Sequence, residues 1–480
     1  MQNESILIDF YEFTMAYGYF KEGHQSRYAT FDLFFRKLPD SGGYAVFAGL
    51  DSMINYIENL RFSDEDIAYF KARNLFDEAF LEYLSTFKFS GNLYAMKEGS
   101  IMFPNEPVVT VHAPIIEAQL LETFLLQAFN HQSLIATKAS RLREAAGERL
   151  VIEMGARRAH GSTSANLGAR ASYIGGIQAS SNTMADRLYG VPALGTMAHS
   201  WVQSYDQEID AFYAYARHFP KNSTFLVDTY DTLKSGVPNA IKVIQDLLVP
   251  QGIQSYAIRI DSGDLAYLSR HARKMLDEAG LKECKIVASN ALDEHLIKAL
   301  IDQGAPIDMF GVGERLITAK SDPVFGGVYK LTAIERDGVL EPTLKLSDNP
   351  NKMSNPGFKQ VYRVYNGDGM AQADMVTFHD ETIDTSKPLR LFDPTHTWLE
   401  KTFTKYSVKP LLVPIFKDGA CVYEKPSLNE VVAYKKAEFA TFWDEMKRFF
   451  YPHQYHVDLS EKIWETKRKL IVKNRKKTVL

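Results

Sequence analysis

The stretch Tyr256-Ala-Ile-Arg259-Ile-Asp261-Ser-Gly-Asp264 decides how the chain is read. An apolar run of strand length stops abruptly at charged and small residues, and helical periodicity over 265–279 follows. The unit recurs on both sides. Apolar runs at 150–152, 224–227, 285–288 and 307–310 stop at Glu153-Met-Gly-Ala-Arg157-Arg158, Asp228-Thr-Tyr-Asp231, Ser289-Asn290 and Gly311-Val-Gly313. Gly195-Thr196-Met-Ala-His199-Ser200 reads as a further stop, and helical patterns fill 237–248 and 293–303. Runs apolar on both faces suit a parallel sheet covered by helices. Parallel strands deliver their C-terminal ends to one side, so six such stops predict one site built from distant segments. Their spread favours an irregular TIM-like α/β barrel over a doubly wound sheet.

Outward from this repeat, 6–20 is helical, 28–38 is β-like, and extended runs at 92–96 and 107–112 bracket the turn Phe103-Pro-Asn-Glu-Pro107. Residues 115–146 carry a helical pattern with neither proline nor glycine. After Gly327 the texture becomes β-rich at 328–334, 343–346, 360–365 and 373–378, with Asn366-Gly-Asp-Gly369 as a turn. A helical segment at 428–451 and a Lys/Arg-rich end at 467–477 follow, the latter a solvated helix or tail. The expected organisation is an N-terminal α/β domain (1–115) completed by C-terminal segments, a helical lead-in and barrel (116–327), and a β-rich plus helical C-terminal region (328–480).

The 480 residues exceed a usual single core, and the net charge of -4 gives no global attraction for nucleic acid or anionic membranes. Binding of a phosphorylated substrate must then be local. Cys284 and Cys421, the only cysteines, read as small core residues and cannot make a disulfide scaffold. The first five residues, Met-Gln-Asn-Glu-Ser, carry no basic leader, and no apolar stretch approaches the ~20 residues of a membrane span, so a cytoplasmic protein is expected.

Several residues have the chemistry for a sugar diphosphate. Arg259 can grip phosphate oxygens bidentately, while Asp261 and Asp264 can accept ribose hydroxyls or hold Mg²⁺ through water. Asp264, just before a helix, reads better as its cap. Arg157 is the choice for an anionic ligand over Arg158, with Glu153 as their internal partner. His199, read at a strand end, could be a base, a nucleophile, a metal ligand or a structural residue, with no HxxxH or carboxylate-spaced partner nearby to favour metal ligation. Gly311, Gly313 and Gly326-Gly327 let backbone amides approach phosphate, or simply make turns. Ser289-Asn290 is a ribose or phosphate contact, or a helix cap.

In order, Asp9-Phe-Tyr11-Glu-Phe-Thr-Met-Ala, Phe31-Asp-Leu-Phe-Phe-Arg36, Glu153-Met-Gly-Ala-Arg-Arg158, Gly195-Thr-Met-Ala-His199-Ser, Phe225-Leu-Val-Asp-Thr-Tyr230, Arg259-Ile-Asp-Ser-Gly-Asp264, Gly311-Val-Gly313 and Gly326-Gly-Val-Tyr-Lys330 resemble the nicotinate phosphoribosyltransferase family. The resemblance implies a type II phosphoribosyltransferase fold in a homodimer with shared active sites. It implies nicotinate, 5-phospho-α-ribose 1-diphosphate and ATP as substrates; Mg²⁺ is the cofactor expected from the carboxylates and the diphosphate, and the charge and hydropathy predict no nucleic-acid or membrane partner. His199 would be a phosphohistidine, and Tyr11, lent by the neighbouring subunit, would stack on the pyridine. Thr196 and Arg259 would lie at the nicotinate or phosphoribosyl site, with Arg157 at the diphosphate or the acid. Glu314 departs from a phosphate-contacting threonine of some members, for which Thr318 or the amides of Gly311 and Gly313 would substitute. A nicotinamide or quinolinate phosphoribosyltransferase, or a catalytically silent phosphate-binding regulator, remains the alternative.

Overall fold

The computed structural model describes residues 4–347, 353–393, 398 and 400–477. Met1, Gln2 and Asn3, which begin the opening stretch without a basic leader, lie outside them. The chain divides into two compact units, one formed by 1–134 with 324–480 and the other by 135–323. The first unit joins both ends of the chain because they share a seven-stranded sheet. Tyr28–Phe34 lies between Val109–Pro114 and Val328–Arg336, and Asn92–Ala95 between Val109–Pro114 and Val413–Lys417, all antiparallel. The C-terminal β-rich region therefore belongs to the unit that holds the N-terminal strands.

A second sheet of this unit pairs Lys359–Asn366 with Ala371–Phe378 across the turn at Asn366–Gly369, where Gly369 N–H donates to the Asn366 carbonyl. Its core buries an ion cluster: Arg363 Nε and Nη2 bond Asp374 at 2.8 and 2.6 Å, and Nη1 meets Glu438. The guanidinium also lies 4.9 Å from the Phe442 ring centre. Two local expectations fail here. Residues 343–346 are not a strand, since the pairing partner of Val328–Arg336 is Val339–Pro342. The helix from Leu428 ends at Ala440, where Thr441 N–H turns back to the Glu438 carbonyl.

The second unit carries a six-stranded parallel sheet in the order Ala179–Ser180, Leu150–Glu153, Met309–Val312, Lys285–Ala288, Tyr256–Ile260, Ser223–Leu226. Nearly every strand position is buried, as a sheet sandwiched by helices requires. The fold is mixed α/β with an open, parallel sheet, and no pairing of its two edge strands is recorded among the described residues. Asp264 caps the following helix, accepting from Tyr267 N–H at 2.9 Å, and Asp293 caps the next, accepting from Leu296 N–H. The helix read over 237–248 is Val237–Val243 flanked by wider π turns, entered through Gly236, whose backbone crowds the Val227 carbonyl.

Candidate active site

Arg259 points from the strand Tyr256–Ile260 toward Ser289 and Thr196 of other segments and Asp261 just beyond its own strand. Its Nε donates to Ser289 Oγ at 2.9 Å, Nη1 to Thr196 Oγ1 at 2.9 Å, and Nη2 to Asp261 Oδ1 at 3.1 Å. Ser289, just past the end of Lys285–Ala288, donates its own hydroxyl hydrogen bond to Asp261 Oδ1. A guanidinium has five N–H donors, so two remain for a ligand. The side chain is 16% exposed, so its charge is held by geometry rather than solvated.

Asp261 is itself held in place. Its N–H donates to Asp228 Oδ2 at 2.9 Å, and Ser262 Oγ donates to the same oxygen at 2.6 Å. Asp228 Oδ1 is buried without a hydrogen-bond partner among the described residues. His199 sits beside this pair, with Nδ1 3.1 Å from Thr229 Oγ1 and Nε2 3.7 Å from Asp261 Oδ2. Its location corrects the expectation of a strand end: His199 opens the short helix His199–Gln203, after a loop that makes an isolated β-bridge to Ser180 at Ala193. Thr196, His199, Arg259, Asp261 and Ser289 therefore form one connected cluster, and Asp228 and Thr229, given no role from sequence, complete it. Their signal was present, since both stand where an apolar run stops.

Other candidates are placed differently. Gly311 lies inside Met309–Val312 rather than after it, and a Cβ there would come 3.3 Å from Ser289 Cβ and 2.7 Å from Met154 Sδ. Gly313 precedes the one-turn helix Glu314–Ile317, and Thr318, at its end, donates to the Glu314 carbonyl. Asn290 has a φ of 87° and Ala291 one of 48°, conformations that L residues seldom adopt. Arg157 is exposed in the turn Ala156–Arg158, without a recorded polar partner among the described residues. Glu153 is not its partner. Burial raises the Glu153 pKa against the lowering effect of its bonds from Ser180 Oγ and Gly155 N–H. Arg158 instead lies 3.9 Å from Glu314, whose carboxylate Lys320 holds below its ordinary pKa.

Tyr11 belongs to the first unit, on the helix Phe10–Lys21, where burial and the nearby Glu122 and Glu12 carboxylates push its phenol upward. Gly326 and Gly327 also belong there, and the Gly327 N–H is taken by Asn130 at 2.7 Å. Cys284 is buried as expected, but Cys421 is only half-buried. No group of three His, Cys, Asp or Glu side chains suited to a metal occurs among the described residues, and no described helix is long and apolar enough to cross a membrane.

Comparison with known proteins adds an independent line. The model described as "Nicotinate phosphoribosyltransferase (NAPRTase) family" matches residues 150–368, and models for the N-terminal and C-terminal domains of that enzyme match 6–130 and 358–467. The chain is 46% identical to the nicotinate phosphoribosyltransferase of Bacillus subtilis, covering 96% of this chain and 94% of the relative. It is 33% identical to the human protein of that name, over 95% of each. The crystal structure of human nicotinic acid phosphoribosyltransferase superposes with a TM-score of 0.85 at 31% identity, covering 96% of this chain and 99% of that one. A nicotinate-nucleotide pyrophosphorylase from Pyrococcus furiosus shares the fold, with a TM-score of 0.70 at 23% identity over 92% of this chain and 97% of the other.

Proposed function

The chain belongs to the nicotinate phosphoribosyltransferase family, and from that premise we propose which of its residues carry the reaction. It is an enzyme of NAD biosynthesis that forms nicotinate mononucleotide and diphosphate from nicotinate and 5-phospho-α-ribose 1-diphosphate. The observation that carries the assignment of the site is Arg259, fixed by Ser289 and Thr196 from distant segments and by Asp261 at the end of its own strand.

The pyridine nitrogen attacks the anomeric carbon as its bond to diphosphate breaks. The nitrogen bears no proton, so no general base is required. What the protein supplies is position and charge. Arg259 and Arg157 would neutralise the departing diphosphate, and the amides and hydroxyls at Ser289, Asn290, Gly311, Gly313 and Thr318 would hold the phosphoribosyl group. Asp261 and the Asp228 that fixes its backbone would face the ribose. Tyr11, contributed from the neighbouring copy of a homodimer, would stack on the ring. The six-stranded sheet reads as the wall of an irregular barrel, with these residues at its C-terminal edge.

Mg²⁺ fits this donor set. Magnesium keeps most of its waters and needs only one or two carboxylates plus substrate phosphates. Asp261, together with the unpartnered Asp228 Oδ1, meets that need better than Asp264, which is occupied as a helix cap. Bound there, the ion would offset diphosphate charge.

ATP coupling follows the same cluster. One imidazole nitrogen of His199 would attack the γ-phosphorus of ATP, forming an N–P bond as the P–O bond to ADP breaks, and water would later release phosphate. Thr229 and Asp261 flank the two nitrogens and orient the ring. The decisive assay is nicotinate-dependent release of diphosphate, with and without ATP, with nicotinamide and quinolinate as competitors. His199→Ala should lose coupled ATP hydrolysis yet retain slow transfer. Unchanged ATP stoichiometry in that variant would remove His199 from the mechanism.

A further inference from the structure

We propose that Lys138 and Arg141 are positioning residues that lock the two loops assigned above to the phosphoribosyl group, an inference that rests on that assignment. Both lie on the helix Glu122–Ala146, in the part belonging to the second unit. Lys138 Nζ donates to Glu294 Oε1 at 2.9 Å and to Ser321 Oγ at 2.7 Å, and Arg141 Nε donates to the same Glu294 oxygen at 2.9 Å. The three charged side chains are 3%, 3% and 0% exposed.

The anchor points are telling. Glu294 opens the helix that follows Ser289 and Asn290, and Ser321 comes shortly after Thr318. Each loop holds non-glycine residues with positive φ: Asn290 at 87° and Ala291 at 48° in the first, and Ala319 at 42° in the second. Alanine has no side chain with which to offset such strain, so the conformation persists only where its surroundings impose it. The lysine grips both loops immediately downstream of their strained turns. Apolar side chains could join these elements at no greater desolvation cost. An ammonium bonded to a carboxylate on the helix that one loop enters and to a hydroxyl on the other loop instead fixes their mutual register.

A purely structural ion pair would change stability without discriminating between the substrates. Steady-state kinetics of the full chain, varying each substrate in turn, separates the two roles. Lys138→Met should raise KM for 5-phospho-α-ribose 1-diphosphate by about 10-fold or more and Ser321→Ala by about 3-fold, with KM for nicotinate within about 2-fold of wild type. Lys138→Arg, which keeps a cation and several donors, should recover most of the loss. If Lys138→Met does not fold, Ser321→Ala decides, because it removes only a hydroxyl. Ser321→Ala with an unchanged sugar-diphosphate KM overturns the proposal, as does a parallel rise in both KM values. A wild-type chain that forms no diphosphate from these substrates overturns the functional assignment itself, and with it this inference.

Discussion

Replacing Arg259 by lysine keeps the charge and removes the fork, so it measures how much of the site depends on geometry. Arg259 makes three bonds, to Ser289, Thr196 and Asp261, from three different nitrogens. A single ammonium cannot reach all three positions while also meeting a phosphate. Losing two of these charge-assisted bonds is worth about 1.5–3 kcal/mol each at most. Water can refill part of a site that is 16% exposed, so a net loss of about 2–4 kcal/mol in transition-state stabilisation is reasonable. That corresponds to a fall of roughly 30- to 1000-fold in kcat/KM. Diphosphate release gives the rate, and thermal melting shows whether the fold survives. A folded Arg259→Lys enzyme within about 3-fold of wild type would mean that Arg259 acts as a point charge and that its network is incidental.

Three further perturbations probe the scaffold. Burial pushes the Glu12 carboxyl from its ordinary 4.5 up to about 8, so the folded state retains a proton that the unfolded chain releases; this contribution to stability is complete below 4.5 and lost as pH rises through 8. The denaturation midpoint should therefore fall more steeply between pH 5 and about 8.5 in wild type than in Glu12→Gln, and parallel curves would reject the linkage. Arg363→Met leaves Asp374 and Glu438 buried without their guanidinium and should cost about 3–5 kcal/mol in urea denaturation; a loss below about 1 kcal/mol would show that the cluster is not maintained. At Gly236 a Cβ would lie 1.8 Å from the Val227 carbonyl oxygen, whereas at Gly195 it would meet nothing within 4 Å. Gly236→Ala should express as insoluble or melt far below wild type while Gly195→Ala melts normally, and equal melting temperatures would contradict the packing described.

The second unit was the more legible in the sequence because its strands are buried on both faces and end in polar residues. Tyr256–Ile260 and Lys285–Ala288 fall where the apolar runs predict. The strand Met309–Val312 overran its predicted stop because glycine can continue a strand where another backbone or side chain packs close, here Met154. His199 was misplaced because a loop of small residues before a helix has the composition of a strand end. Arg259, Asp261, Ser289, Thr196 and His199 were individually visible, but the bonds joining them depend on which strands become neighbours, and local pattern does not encode that order. Asp228 and Thr229 went unassigned for this reason. Lys138 and Arg141 were invisible, since a lysine and an arginine in a long helix ordinarily face water.

The seven-stranded sheet has a temporal consequence. Tyr28–Phe34 needs Val328–Arg336 beside it, and Asn92–Ala95 needs Val413–Lys417. At about 5–20 residues per second, a ribosome delivers those partners tens of seconds after the first strands emerge. Residues 135–323, which hold the parallel sheet and the Arg259 cluster, are contiguous and can fold during that wait. The earliest-made strands therefore present unsatisfied edges in the nascent chain, and deletion of residues from 413 onward should harm the opening segment more than the central one.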